Sequence, residues 1–157
     1  MQAPIGRKDE SYNRAMHDVT KLDEVYRATT YRVYVSGGRS IDIRIGEHSA
    51  ALDGLLEERR AERWAFMTAW NPRSKPLAEA INAQRQADLL ALLRHRGFES
   101  LAGSGVPAGA DWQAEESVLV VDIERDDALD IAREFGQVAI VAGVRGGAAE
   151  LVYCDPG

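Results

Sequence analysis

The chain has 157 residues, a length typical of one domain, and its 45% hydrophobic and 28% charged residues are ordinary for a globular protein. A single cysteine, Cys154, excludes a disulfide framework and a cysteine-rich metal site. The net charge of −6 disfavours general nucleic-acid binding. The sequence has no apolar run of about 18 residues and no apolar N-terminal core, so we expect no membrane span, no secretory signal and a cytoplasmic location.

The first part of the chain contains one strong local pattern. Residues 1–19 are mostly polar and predict a mobile arm ahead of a single globular domain over residues 20–157. A short helical turn is expected over residues 21–27. Apolar and polar side chains alternate over residues 31–45 on both sides of a glycine turn at residues 36–38, which predicts a β-hairpin with one apolar face.

Helical and strand patterns alternate in the rest of the chain. In order, they predict a helix from a Ser49 cap to about Ala61, a strand over residues 64–70, a helix from a Ser74 cap to about Arg96 that ends at Gly97, a loop over residues 98–113, a strand over residues 117–123, a helix over residues 126–135, and strands over residues 138–144 and 150–153. The order ββαβαβαββ predicts an α+β domain with a mixed sheet of about five to six strands and three helices. The strand order stays open.

The sequence lacks the motifs of common nucleotide-binding and hydrolytic sites. It contains no GxGxxG, GxxxxGK[ST], HExxH or GxSxG pattern, and His17, His48 and His95 share no ligand spacing. We therefore expect no metal and no cofactor. The glycine pairs at residues 37–38 and 146–147 fit hairpin turns better than a phosphate-binding loop.

Arg85 is the most unusual residue of the predicted long helix. On a helical wheel it lies within an apolar stripe, with Asn82 at the shoulder of that stripe, whose members are Leu77, Ile81, Leu89 and Leu92. A guanidinium stays protonated, so a buried one needs a carboxylate or a wet cleft. Extension of the side chain to water at the sheet edge, or a purely structural ion pair, would explain the same pattern.

Two adjacent glutamates offer Arg85 a partner. Glu115 and Glu116 lead into an apolar strand, where successive side chains point to opposite faces, so one of them can turn inward. The alternation does not say which. We favour Glu116, which is nearer the buried strand, as the partner of Arg85 in a bidentate ion pair. The inward glutamate would suit a general base, and solvation of both is the competing interpretation.

Other polar candidates lie at the ends of predicted elements. Asn71 follows the strand over residues 64–70, Ser74 precedes the next helix, and Gln137 precedes the strand over residues 138–144. Strand ends next to helix starts are where sheets of this kind gather ligands. A turn at Asn71, a helix cap at Ser74 and a loop contact at Gln137 are the structural alternatives.

Five segments form a combined pattern: YRATTY at residues 26–31, AFMTAWNPRS at 65–74, NAQR at 82–85, Trp112 with EES at 115–117, and FGQVAI at 135–140. This pattern resembles the bacterial DUF3293 family, whose name records that no function is assigned. The resemblance covers roughly residues 26–153 and marks Trp112 as a further candidate ligand-binding residue. The family often has a glutamate just before the helix asparagine, where this chain has Ile81. The resemblance implies a similar fold and no particular activity.

The favoured hypothesis is a small-ligand pocket for a polar or anionic, nucleotide-like molecule. Glu116 or Glu115 would act in catalysis, and the ligand-binding residues would be Arg85, Asn82, Asn71, Ser74, Gln137 and Trp112. One alternative is a non-catalytic interaction module, in which the polar cluster is structural and an edge strand of one terminal hairpin pairs with a protein partner. A second alternative, disfavoured by the acidic charge, is an RNA-processing or toxin-like domain. Whether the chain is an enzyme stays open.

Overall fold

The computed structural model describes residues 20–109 and 113–155, so the arm predicted over residues 1–19 and the candidate Trp112 lie outside the described residues. The elements in chain order are α1 (residues 20–28), β1 (Thr30–Val35), β2 (Arg39–Ile43), α2 (Ala50–Glu58), β3 (Arg63–Met67), α3 (Glu79–His95), β4 (Glu99–Val106), β5 (Glu115–Val121), α4 (Arg125–Glu134), β6 (Ala139–Val144) and β7 (Glu150–Tyr153). Within the described part of the chain, no helix is long and apolar enough to cross a membrane.

All seven strands belong to one sheet, in the order β2-β1-β4-β5-β3-β6-β7, and every neighbouring pair is antiparallel. The predicted α+β class is therefore confirmed. The prediction of a mixed sheet with about five to six strands, and of three helices, is wrong in detail. The described residues form an antiparallel sheet of seven strands, and they form four helices. Isolated bridges join Ile45 to Ala149 and His48 to Ala148, so the regions beside the two edge strands approach each other and the sheet curls.

The predicted loop over residues 98–113 is wrong, because residues 99–106 form β4 between β1 and β5. The glycines that suggest a loop serve a close contact instead. A Cβ atom at Gly103 would lie 2.7 Å from the carbonyl oxygen of Arg32 and 2.8 Å from the ring of Phe66. Glycine inside a strand often marks such an approach.

The central strand β3 is buried on both faces, as its continuous apolar sequence predicts. Trp64 and Phe66 pack into the core that includes α2. Ala65 and Met67 pack into the core that includes α3 and α4. The strand ends at Met67, three residues earlier than predicted, and the freed segment of residues 68–71 approaches α3.

The ends of most helices agree with their sequence signals. The Ser49 side chain accepts a hydrogen bond from the Leu52 amide at 3.1 Å and caps α2, and Gly97 adopts a φ of +81° just after α3. The predicted Ser74 cap is wrong. Ser74 lies in a turn with a φ of +59°, and α3 begins at Glu79 without a side-chain cap.

The buried face of α3 differs from the predicted apolar stripe. Leu77 precedes the helix and is 37% exposed, and Ile81 is 53% exposed. The fully buried residues of α3 are instead Asn82, Gln86, Leu89 and Leu93. The first half of this face packs on the polar main chain that follows β3, whereas the second half packs in the apolar core.

Candidate functional site

The candidate site lies at one edge of the sheet. Because neighbouring strands are antiparallel, the end of β3 lies beside the starts of β5 and β6. Asn71 follows β3, Glu115 opens β5 and Gln137 precedes β6, so three residues that are distant in the chain converge at this edge.

The main chain of residues 69–71 is held by five side chains. The Ala69 amide donates to Gln86 Oε1 (3.0 Å), Arg85 Nε donates to the Ala69 carbonyl (2.8 Å), the Trp70 amide donates to Thr68 Oγ1 (3.1 Å), Gln137 Nε2 donates to the Trp70 carbonyl (3.0 Å), and the Asn71 amide donates to Asn82 Oδ1 (2.9 Å). We call these five side chains, from Thr68, Asn82, Arg85, Gln86 and Gln137, the clamp. They provide the hydrogen bonds that a regular strand would have supplied.

Asn71 links the clamp to the sheet. Its φ of +45° is left-handed, a conformation that asparagine tolerates better than most residues. Its side-chain oxygen accepts from Asn82 Nδ2 (2.8 Å) and from the Leu77 amide (3.0 Å), and its Nδ2 donates to Glu115 Oε1 (2.9 Å). The conformation of Asn71 is therefore fixed from both α3 and β5.

The predicted ion pair between Arg85 and Glu116 is wrong. Arg85 is half-buried, and no carboxylate of the described residues lies within ion-pair distance of it. Its guanidinium donates to the main-chain carbonyls of Ala69 and Phe135 and lies 5.9 Å from the centre of the Phe135 ring. Phe135 directly follows α4 as its C-cap residue, where unpaired carbonyls carry the negative end of the helix dipole. The end of a helix thus takes the place of the expected carboxylate.

Glu115, and not Glu116, turns inward. Glu115 is partly buried and bonded to Asn71, whereas the side chain of Glu116 is exposed to solvent. The carbonyl of Glu116 accepts a hydrogen bond from Thr68 Oγ1, which ties this strand to the segment after β3. Burial raises the pKa of the Glu115 carboxyl above its usual value, and the hydrogen bond from Asn71 opposes that rise.

Beside these residues is a cavity of about 400 Å³, between α1 and the end of the sheet. Asn71, Ser74, Glu115 and Gln137 line it, as four of the sequence-predicted residues. Arg85, Asn82 and Glu116 do not line it, although Asn82 holds Asn71, which does, and Arg85 holds Ala69, which directly precedes Trp70 of the wall. Of the site residues predicted from the sequence, some therefore face the cavity, whereas Asn82 and Arg85 hold the main chain beside it in position.

The cavity wall is mainly apolar and carries one charged side chain among the described residues. Four aromatic residues, Tyr26, Tyr31, Phe66 and Trp70, contribute to it, and Glu115 is its only charged residue in that described set. Burial raises the pKa of Tyr26 and of Tyr31, so both phenols stay neutral over the physiological range. Residues 20–109 and 113–155 hold no cluster of three metal-ligating side chains.

Sequence reasoning missed three contributors to this site. Gln86 lies one helical turn after Asn82, and two amides at this spacing on one helix face are a signal that could have identified it. Tyr31 belongs to the inward face of the predicted hairpin, and Tyr26 to the inward face of the predicted helical turn. Their positions were predictable, but the cavity between them was not.

The model of a family described as "Protein of unknown function (DUF3293)" matches residues 67–140. Over these residues the chain is similar to the DUF3293 family. The resemblance seen in the sequence is thereby confirmed, over a shorter range than the one expected. No curated protein and no solved structure matches the chain significantly.

The DUF3293 segment coincides with the candidate site. It runs from the end of β3 to the start of β6 and contains all five residues of the clamp, together with Asn71 and Glu115. Tyr26 and Tyr31 precede it, so the aromatic wall of the cavity is contributed in part by α1 and β1, outside the matched range.

Proposed function

We propose that this protein binds a small organic molecule in the cavity beneath α1. The cavity itself carries this proposal. Its volume of about 400 Å³ falls within the range of small-molecule pockets, and its wall combines apolar and aromatic surface with a few convergent polar groups. Asn71, Glu115 and Gln137 are those groups, and each has its orientation held by hydrogen bonds.

The nature of the wall changes the ligand that was expected from the sequence. An anionic or nucleotide-like molecule requires cationic partners, and no basic side chain is among the described lining residues. Arg85 instead supports the proposal as a positioning residue, because it holds the carbonyl of Ala69, which lies between two lining residues, Thr68 and Trp70. A catalytic role for Glu115 stays a prediction.

A cavity-filling substitution tests this function. A Cβ atom at Gly105 would meet the side chains of Ser117 and Thr29 only at 3.9 Å, and all three residues line the cavity. We expect that Gly105→Leu folds, because leucine fits a strand, and that its side chain occupies the cavity. Millimolar phenethyl alcohol should then shift the NMR amide signals of lining residues in the wild type and leave those of Gly105→Leu unchanged.

The matched control is Gly54→Ala, since Gly54 lies on α2 with nothing within 4 Å of its added Cβ. This variant should bind phenethyl alcohol like the wild type. The proposal is wrong if the wild type shows no shifts at the lining residues, or if Gly105→Leu binds the alcohol as well as Gly54→Ala does.

A second candidate function is the pairing of an edge strand with a protein partner. It is favoured by the positions of β2 and β7 at the two edges of the sheet. The bridges from Ile45 to Ala149 and from His48 to Ala148 weaken it, because they draw the neighbouring segments together. We therefore favour the cavity.

A further inference from the structure

We propose that the molecule bound in this cavity is an organic amine, held by its ammonium group on the Glu115 carboxylate and by its apolar body among the aromatic side chains. This inference rests on the proposed function, because it names the chemical class of the ligand for the same cavity. It is carried by three features of the wall: its charge, its aromatic content and the fixed position of its carboxylate.

The charge of the wall favours a cation. Glu115 is the only charged side chain among the described lining residues, and the remaining polar side-chain groups are amides, hydroxyls and the indole N–H of Trp70. An anion brought into this cavity would lose water without gaining a cationic partner. An ammonium group would gain a charge-assisted hydrogen bond to a carboxylate that is already partly desolvated.

The carboxylate is prepared for a second donor. Glu115 Oε1 accepts from Asn71 Nδ2 at 2.9 Å, and Asn71 is itself held by Asn82. No hydrogen bond to the second oxygen of Glu115 comes from the described residues. A ligand ammonium can therefore bind there without displacing Asn71, and it meets a carboxylate whose orientation is already fixed.

The aromatic residues suit both parts of such a ligand. Tyr31 and Phe66 pack edge to face with ring centres 5.4 Å apart, and the Tyr31 hydroxyl donates to the carbonyl of Tyr26 at 2.8 Å. Trp70 completes the group and is only 6% exposed. Aromatic surface attracts ammonium groups through its quadrupole and also packs well against an apolar body.

Three probes of one shape test the charge preference. Phenethylamine, phenethyl alcohol and phenylacetate each carry one benzene ring and differ in the charge of the polar end. We expect phenethylamine to bind about tenfold more tightly than the alcohol near neutral pH, and phenylacetate to bind more weakly than both, when dissociation constants are measured by NMR titration or calorimetry.

The pH dependence follows from the titration of Glu115. Below its raised pKa the carboxyl of the empty protein is neutral and offers no charge, so the affinity for phenethylamine should rise between about pH 4 and about pH 7. The amine stays protonated in this range, as do the neutral phenols of Tyr26 and Tyr31, the other titratable groups of the described wall. The affinity for phenethyl alcohol should stay constant.

Substitution of the two adjacent glutamates provides the matched comparison. Glu115→Gln keeps the shape of the side chain and an oxygen for Asn71, and it should lose the tenfold preference for the amine while it still binds the alcohol. Glu116→Gln removes an exposed carboxylate one residue away and should behave like the wild type. If Glu115→Gln fails to fold, the pH profiles of the wild type decide.

The outcomes separate the two proposals. Binding of the alcohol without a preference for the amine overturns the amine inference and leaves the proposed function intact. A preference that survives Glu115→Gln, or an amine affinity that does not change with pH, also overturns the inference. Failure of the wild type to bind any of the three probes overturns the proposed function itself.

Discussion

Arg85 shows that main-chain carbonyl groups can replace a carboxylate as the hydrogen-bond acceptors of a partly buried guanidinium. Its guanidinium bonds to the carbonyl of Ala69, which follows β3, and to the carbonyl of Phe135 at the end of α4, and thus joins these two segments. Gln137 Nε2 also approaches the carbonyl of Phe135 at 3.4 Å, so the end of α4 receives donors from two residues. A charged side chain on an apolar helix stripe therefore need not indicate an ion pair or a ligand.

Arg85→Met tests this role because methionine retains the apolar stem and removes every donor. The carbonyls of Ala69 and Phe135 would each lose a charged donor, and we expect a loss of about 2 kcal/mol in the free energy of unfolding, measured in urea. Arg94→Met, at an exposed position of the same helix, should change stability by less than about 0.5 kcal/mol. Equal stabilities of the two variants would show that the clamp does not depend on Arg85.

At the scale of the secondary-structure element, strand β4 contains two glycines, Gly103 and Gly105, with different structural roles. Gly103 faces Arg32 and Phe66 at distances that leave no room for a methyl group, whereas Gly105 faces the cavity. Both residues lie on the same face of the strand, two positions apart. The strand therefore passes close to β1 at one point and leaves space at the next.

Alanine at these two positions should have opposite effects. We expect Gly103→Ala to destabilise the protein by about 1–3 kcal/mol, because the new Cβ overlaps the main chain of β1 and the ring of Phe66. Gly105→Ala meets no close atom and reduces the freedom of the unfolded chain, so it should be neutral or stabilising by up to about 1 kcal/mol. Thermal unfolding of both variants checks this, and a Gly103→Ala protein as stable as Gly105→Ala would contradict the strand packing.

On the scale of the whole molecule, α1 is the element that closes the cavity. It contributes Leu22, Val25 and Tyr26 to the wall. Besides the bond from the Tyr31 hydroxyl on β1 to the carbonyl of Tyr26, polar contacts attach it at two points. The Tyr153 hydroxyl on β7 donates to Asp23 at 2.7 Å. This hydrogen bond is the largest cause of the lowered pKa of Asp23, and the hydrogen bond from Arg27 is the second largest. The second attachment is made by the Arg44 guanidinium, which donates to the carbonyl of Ala28 at 3.0 Å.

Loss of the contact from β7 should loosen α1 and leave the sheet intact. In Tyr153→Phe we expect faster hydrogen exchange of the amides in residues 20–28 and weaker binding of phenethyl alcohol, with unchanged exchange in β3 and β5. Tyr34→Phe, at a position that is 48% exposed, is the control and should exchange like the wild type. Unchanged exchange in α1 of Tyr153→Phe would mean that its other contacts hold it without the bond from Tyr153.

The sequence by itself determined the features that depend on neighbours in the chain. The hairpin over residues 31–45, the Ser49 cap, the helix end at Gly97 and the doubly buried strand β3 all follow from local periodicity and from conformational preferences of single residues. The sequence also identified most of the polar residues that gather at the sheet edge, because Asn71, Glu115 and Gln137 stand next to apolar segments at the ends of elements and Arg85 interrupts the apolar stripe predicted for the long helix.

The tertiary structure alone decided what those residues face. Adjacent positions 115 and 116 obey the same alternation, so only the pairing of β5 with β3 and β4 selects Glu115 as the inward one. The acceptors of Arg85 are main-chain carbonyls, which every residue has and no sequence pattern marks. Strand β4 was not predicted from the sequence because Gly103 is required by close contacts with Phe66 and Arg32, which lie on other strands. Local patterns report the shape of each element, whereas the contacts between elements arise from antiparallel registers that join distant parts of the chain.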